Sequence, residues 1–160
     1  MTRPDTGPAE FRQLLGRFAT GVTVVTALDG TRRPHGMTAN SLSSISLHPP
    51  LILVAIEKVA LLHPVITTAP HFVVNILGEQ QEAVSRRFAR KEDDRFDGIG
   101  YTLTAEGVPV LDGVLAHIEC ERHALHEAGD HTIVIGRVTG GAVREGRPLA
   151  YFRGGYTGLA

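Results

Sequence analysis

The chain has 160 residues, 42% of them hydrophobic and 21% charged, with 16 Lys and Arg against 17 Asp and Glu for a net charge of −1. A domain of that size buries roughly two-thirds of its unfolded surface, enough for a core without disulfides or structural metal. The near-neutral balance excludes the basic stripe of a nucleic-acid binder, and the single cysteine, Cys120, excludes an intrachain disulfide and fits a reducing cytoplasm.

Met1 to Glu10 contains Arg3, Asp5 and two prolines and so lacks the apolar core of a signal peptide. Residues 1–8 read as a flexible lead-in and 9–160 as one domain. Pro8 to Phe18 predicts a short amphipathic helix, because Phe11, Leu14, Leu15 and Phe18 recur at helical spacing. Val22 to Leu28 is β-branched and apolar and predicts a strand. Asp29-Gly30 is a hairpin turn signal, with Arg33 to Thr38 as the return strand. Ile45 and Leu47 continue strand character, and Leu51 to Ile56 reads as a buried strand, far too short to span a bilayer. A cytoplasmic protein with no membrane segment is expected.

Val59 to Thr68 reads as a helical turn broken by Pro64, and Phe72 to Leu77 as another buried strand. Glu79 to Arg90 predicts a helix with Ala83, Val84 and Phe88 toward the core, followed by a charged loop from Lys91 to Gly98. Val114 to Leu125 and Thr132 to Val143 predict a long antiparallel pair joined through Glu127-Ala128-Gly129-Asp130, and Pro148 to Phe152 a last short strand. Six or more strands with little helical crossover indicate an antiparallel closed barrel rather than a parallel sheet.

The familiar cofactor and nucleophile motifs are absent. No Gly-x-Gly-x-x-Gly opens a helix after a strand, and there is no phosphate-binding Gly-x-x-x-x-Gly-Lys loop or Gly-x-Ser-x-Gly elbow. His126 and His131 are five residues apart and do not share a helix face, and Gly129-Asp130 between them reads as a turn. His117, Glu119, Glu121 and His123 share one face of an alternating strand. A cation site is one reading of that row; a solvated outer face, with Ile118 and Cys120 pointing inward, is the reading preferred. No metal site is expected. Cys120 then serves as a small buried hydrophobe.

The run from Gly36 to Leu51, Gly-Met-Thr-Ala-Asn-Ser-Leu-Ser-Ser-Ile-Ser-Leu-His-Pro-Pro-Leu, sets small residues, hydroxyls and one amide between two strand-like segments. Small side chains allow a ligand to approach the backbone, and hydroxyls with free N–H groups can hold a phosphate or the polar edge of a ring. Three stretches, in order, carry a resemblance. They are Gly21 to Thr26 with that run; Phe72 to Leu77 with Arg87-Phe88-Ala89 and Arg95-Phe96-Asp97-Gly98; and Gly129 to Val138 with Pro148 to Tyr156. Together they resemble the short-chain flavin reductases, the reductase components of two-component flavin-dependent monooxygenases, over about Phe11 to Tyr156.

The resemblance implies a mainly β, Greek-key split β-barrel of FMN-binding type with a few short flanking helices, a homodimer, and a flavin near the subunit interface. It implies an NAD(P)H:flavin oxidoreductase that reduces FMN or FAD with NADH or NADPH and supplies a separate monooxygenase. Carried onto this sequence, it implies flavin contacts at Met37, Thr38, Ala39, Asn40 and Ser41, with Ser43 and Ser44 beside them. Ala55, Ile56 and Glu57 pass the isoalloxazine ring, and Phe88 and Ala89 lie near the phosphate or adenine side. His131, in Gly-Asp-His, is placed near the nicotinamide as the catalytic position, and Tyr151, Arg153 and Tyr156 in the segment that closes over the nicotinamide cofactor. One departure stands out: Ala60 and Leu62 occupy positions where the family often has Ser-x-Thr, which leaves the choice between FMN and FAD open. A non-catalytic flavin-binding barrel is the alternative. A pyridoxamine-phosphate oxidase type of site would need a cluster of Arg and Lys for a second phosphate, which the sequence does not present.

Overall fold

The computed structural model describes residues 5–159. Its elements are α1 (Pro8–Leu15), β1 (Thr20–Gly21), β2 (Thr23–Leu28), β3 (Pro34–Ala39), β4 (Ser43–Leu47), β5 (Pro50–Glu57), α2 (His63–Ile66), β6 (His71–Ile76), α3 (Glu82–Phe88), β7 (Tyr101–Leu103), β8 (Pro109–Leu111), β9 (Ala116–Ala128), β10 (His131–Val143), β11 (Ala150–Phe152) and β12 (Gly155–Thr157). Residues 1–4 of the expected lead-in lie outside the described residues; α1 already begins at Pro8, inside it.

Seven strands form one antiparallel sheet in the order β3-β2-β6-β9-β10-β5-β4. The connection from β5 to β6 skips two strands, β10 and β9, and carries α2 across one end of the sheet, where Leu62, Val65 and Ile66 enter an inner core with Val25, Ile56 and Phe72. The sheet closes where the loop after β3 reaches β5. The fold is the expected mainly β split barrel with few, short helices. A β7–β8 hairpin and a small β1-β11-β12 sheet complete it.

The strands differ in how many faces they bury. In β2, Val25 and Ala27 enter the inner core while Val22, just before it, and Val24 enter a second cluster with Val73, Leu77, Phe88 and Leu149. Covered on both faces, β2 and β6 read as continuous apolar runs. β5 is covered fully on one face only: Ile52, Val54 and Ile56 are buried, Leu51, Leu53 and Ala55 half-buried. Its pattern is therefore an alternation.

Asn75, in the middle of apolar β6, is fully buried. Its amide donates to Val24 O at 3.0 Å and Thr26 Oγ1 at 3.2 Å, and its oxygen accepts from Leu111 N at 2.9 Å. Thr26 Oγ1 donates onward to Pro109 O at 2.6 Å. These side chains tie β2, β6 and β8 together and leave no polar atom of the amide unmatched. Two glycines sit at close approaches. A Cβ on Gly36 would meet the Phe88 ring at 2.7 Å, and one on Gly136 the Phe72 ring at 2.5 Å.

Several sequence expectations need correction. The turn after β2 is a five-residue loop. The Asp29 carboxylate accepts from Thr31 N and Arg33 N, and Arg32 rather than Gly30 takes the left-handed conformation (φ 64°). Pro64 starts α2 instead of breaking it, because a first-turn residue needs no amide donor. Ala83 faces outward, and Ser85 is the buried residue beside Phe88. The strict alternation of β9 fails at a bulge against Ile135 and Gly136 that leaves His123 unpaired. The carboxylates of that row are engaged locally: His117 Nε2 lies 3.2 Å from Glu119 Oε1, and Arg137 donates to Glu121 at 2.5 Å. Cys120 is buried as expected, and desolvation pushes its thiol up to about 12.

Candidate active site

The loop from β3 to β4 is held by hydroxyls. Thr23 Oγ1 donates to Ala39 O at 2.6 Å and Thr38 Oγ1 to Ser85 O at 2.6 Å, fixing the end of β3 against β2 and α3. Ser43 pairs with Leu53, so one more antiparallel step would set residue 41 against residue 55. There the backbone ladder stops, and Ser41 Oγ replaces it: it donates to Ala55 O and accepts from Ala55 N, both at 3.0 Å. One hydroxyl thus closes the barrel and leaves the backbone of residues 39–42 turned toward a cleft.

Two cavities line that loop. The smaller, about 240 Å³, is bounded by Val22, Thr38, Ala39, Asn40, Ser85, Ala89, Tyr151 and Tyr156. The larger, about 690 Å³, runs from Asn40, Ser41, Leu42 and Ser43 to Tyr151, Arg153 and the α1 residues Phe11, Arg12 and Leu15, with Phe18 just beyond the helix. Asn40 and Tyr151 border both, so the two form one cleft. Its aromatic wall is built by pairing: the Tyr151 and Tyr156 rings lie 5.5 Å apart, edge to face. Tyr156 OH and Ser85 Oγ share a hydrogen bond at 2.7 Å, and the Arg86 guanidinium stands 4.8 Å over the Tyr156 ring.

The cleft gathers Thr38, Ala39, Asn40, Ser41, Ser43, Ala89, Tyr151, Arg153 and Tyr156 from three separate stretches of sequence. Met37 lies beneath the loop, half-buried against the inner core, and Ser44 is exposed outside both cavities. Two expectations are corrected by burial. Ile56 and Phe88 are 0% exposed and have no surface to offer a ligand. Alternation turns Ile56 inward between Ala55 and Glu57, and the Phe88 ring packs under Gly36. Leu62 is likewise a core residue, at 1% exposure, so its missing hydroxyl does not face the cleft.

Ala55, Glu57 and His131 stand on the outer face of the β5–β10 pair, where His131 is paired with Glu57 and Ile133 with Ala55. None of them lines either cavity. His131 Nδ1–H donates to Asp130 Oδ1 at 2.7 Å, which holds the Asp130 carboxyl below its ordinary value and leaves Nε2 without a partner among the described residues. Lys58 donates to Glu127 at 2.5 Å beside it and lowers that carboxyl in the same way.

Sequence reasoning missed Thr20, Val22 and Ser85, and it did not place α1 at the cleft. Thr20 carries an informative atom: its Oγ1 is buried with no hydrogen-bond partner among the described residues, and the residue lines the larger cavity. Buried hydroxyls are seldom left without a partner. The small-residue, hydroxyl-bearing loop, the aromatic walls and the Arg153 guanidinium together match a flat, hydrogen-bonding, anionic ligand such as a flavin nucleotide. In sequence Thr20 is one more threonine in a strand-like run, and nothing there separates it from Thr23 or Thr26.

Residues 15–160 match the family described as the flavin reductase like domain. An FMN reductase (NADH), SmoA, of Agrobacterium fabrum is 46% identical over 146 residues, which covers 91% of this chain and 83% of that protein. The reductase subunit HsaB of a flavin-dependent monooxygenase of Rhodococcus jostii is 40% identical, covering 95% of this chain and 78% of its own. Among solved structures, the Streptomyces globisporus NADH:FAD oxidoreductase SgcE6, in complex with NAD and FAD fragments, superposes with a TM-score of 0.89 at 40% identity, covering 95% of this chain and 92% of that one.

Proposed function

The chain belongs to the flavin reductase like domain family, and we propose that it is an NAD(P)H:flavin oxidoreductase that reduces FMN or FAD and passes the product to a separate monooxygenase. The observation that carries this reading is the single cleft between the Ser41-anchored loop and the Tyr151–Tyr156 wall. The names of the relatives agree with it: FMN reductase (NADH), NADH:FAD oxidoreductase and monooxygenase reductase subunit.

Bound in the cleft, a flavin supplies the two-electron acceptor, so no protein nucleophile or metal is needed for the reaction. The chain's own residues bind and orient. Thr38, Ala39, Asn40 and Ser41 offer the ring edge a rigid backbone, and Ser43 offers a further donor. Such preorganised donors can stabilise the negative charge gained on reduction. Tyr151 and Tyr156 shield the reacting faces from water. Ala89, at the end of α3, borders the same space.

His131 does not line the cleft of its own chain. On the outer face it shares with Glu57, the neighbouring Leu53, Ala55 and Ile133 are apolar and half-buried, while Glu57 is exposed. A homodimer formed through this face brings His131 toward the partner's nicotinamide site, with Asp130 orienting the ring. The ring's Nε2 then serves as a hydrogen-bond partner for the carboxamide.

NADH oxidation by purified protein, with and without FMN, FAD or riboflavin, tests the reading. Turnover that rises with added flavin is expected, and the preferred flavin decides between FMN and FAD. Absence of turnover with every flavin and both nicotinamides overturns it. A yellow protein without turnover would instead be a flavin-binding barrel. Sedimentation equilibrium checks the dimer, and a His131→Ala variant should raise KM for NADH more than KM for flavin.

A further inference from the structure

The cationic side chains of this protein fall into two groups. Arg33, Arg86, Arg137 and Lys58 hold carboxylates, and Arg87, Arg95 and Arg122 hold backbone carbonyls. Arg12, Arg17, Arg90, Lys91, Arg144, Arg147 and Arg153 have neither kind of partner among the described residues, and of these Arg12, Arg17 and Arg153 come together, lining one open depression of about 510 Å³ with Gln13, Gly16 and Gly154. Its other residues include no acidic side chain. Arg12 and Arg17 flank the C-terminal end of α1. Arg153 joins them because its N–H donates to Gly16 O at 2.9 Å.

Arg153 holds a left-handed backbone (φ 53°), rare for a residue with a side chain. It is set by the two-residue β11–β12 hairpin, in which Arg153 and Gly154 (φ 81°) both take positive φ between the paired Phe152 and Gly155. The depression is continuous with the larger cavity, which shares Arg12, Gly16, Arg153 and Gly154 and contains the unsatisfied Thr20 hydroxyl. Three unpaired guanidiniums converging beside an aromatic-walled cleft suit a multiply charged phosphate ester, since guanidinium forks bind phosphate oxygens in pairs.

We propose that Arg12, Arg17 and Arg153 form a docking corner for the diphosphate of the nicotinamide dinucleotide, with α1 as a substrate-binding element. This rests on the reductase reading for the identity of the dinucleotide. The corner itself recognises an organic diphosphate, which FAD also carries, and the experiment separates the two sources.

Titration calorimetry with ADP-ribose compares the intact protein, an Arg12→Glu/Arg17→Glu variant and an Arg144→Glu control outside the depression. The expected result is salt-sensitive binding by the intact protein and the control, weakened at least about tenfold in the double variant. KM for NADH should rise with it, far more than KM for riboflavin, which carries no phosphate. Equal ADP-ribose affinity in all three proteins overturns the proposal, as does no binding by a protein that turns over NADH. A loss confined to FAD, with ADP-ribose unchanged, also overturns it and gives the corner to the flavin. ADP-ribose binding that depends on the arginines, in a protein without flavin-dependent turnover, would support the corner while removing the reductase reading. Circular dichroism confirms that the exposed substitutions leave the fold intact, and a milder Arg12→Ala/Arg17→Ala pair should show the same ranking.

Discussion

The β2–β6 slab and the cleft rim are built on opposite terms. In the slab both faces are covered and every polar atom of Asn75 has a partner. At the rim, Phe11, Leu14, Leu15 and Phe18 are exposed, and three arginines and the Thr20 hydroxyl are unpaired among the described residues. The slab is satisfied within the chain and gives stability. The rim leaves guanidiniums, apolar side chains and one hydroxyl without partners among the described residues, which is where the proposed function puts its ligands.

The largest expected effect breaks the slab. Asn75→Ala leaves Val24 O and Leu111 N without their partner in the core, a cost of about 3 kcal/mol. Urea unfolding should show that loss directly. Gly36→Ala pushes a methyl against the Phe88 ring and should cost about 2 kcal/mol as overpacking. It should also shift Ala89, so thermal melting and flavin affinity should fall together.

Ser41→Ala acts at the junction of the two regions. It removes both bonds to Ala55 and should cost only about 1 kcal/mol of stability. Flavin binding, followed by fluorescence, should weaken more than stability does, because the loop loses its anchor. Equal losses would mean that the loop is part of the slab after all.

The smallest effect is electrostatic. Glu121, Glu127 and Asp130 have folded pKa values below their ordinary 4.5, 4.5 and 3.8, chiefly through hydrogen bonds from Arg137, Lys58 and His131. A lowered carboxyl contributes stability above its unfolded value and loses it as pH falls through the folded one. Stability should therefore be level from neutral pH down to about pH 5 and decline gently below that. Because these carboxylates are exposed, the decline should shrink in high salt, as melting curves at two ionic strengths would reveal.

Much of the slab was legible in sequence. Val22 to Leu28 and Phe72 to Leu77 are apolar runs, and a strand covered on both faces must be written that way. The Thr38–Ser41 loop was legible for a related reason, since small residues and hydroxyls between strands have few other uses. Other features were hidden by their dependence on distant partners. Ile56 and Phe88 carry the same apolar signal whether they line a ligand or a core, and only packing under Gly36 and against the barrel interior decided it. His131 was singled out within its turn, but its place on the outer β5–β10 face follows from strand pairing.

By itself the sequence determined the strand content, the antiparallel arrangement, the hydroxyl-rich loop and the family, because these depend on local periodicity, turn residues and motifs in order. Tertiary structure alone decided that α1 borders the cleft, that Thr20 Oγ1 is left without a partner among the described residues and that Arg153 lines the same depression as Arg12 and Arg17. Each of these joins residues far apart in the chain, and only the closing of the barrel and the pairing of β1 with β11 bring them within reach.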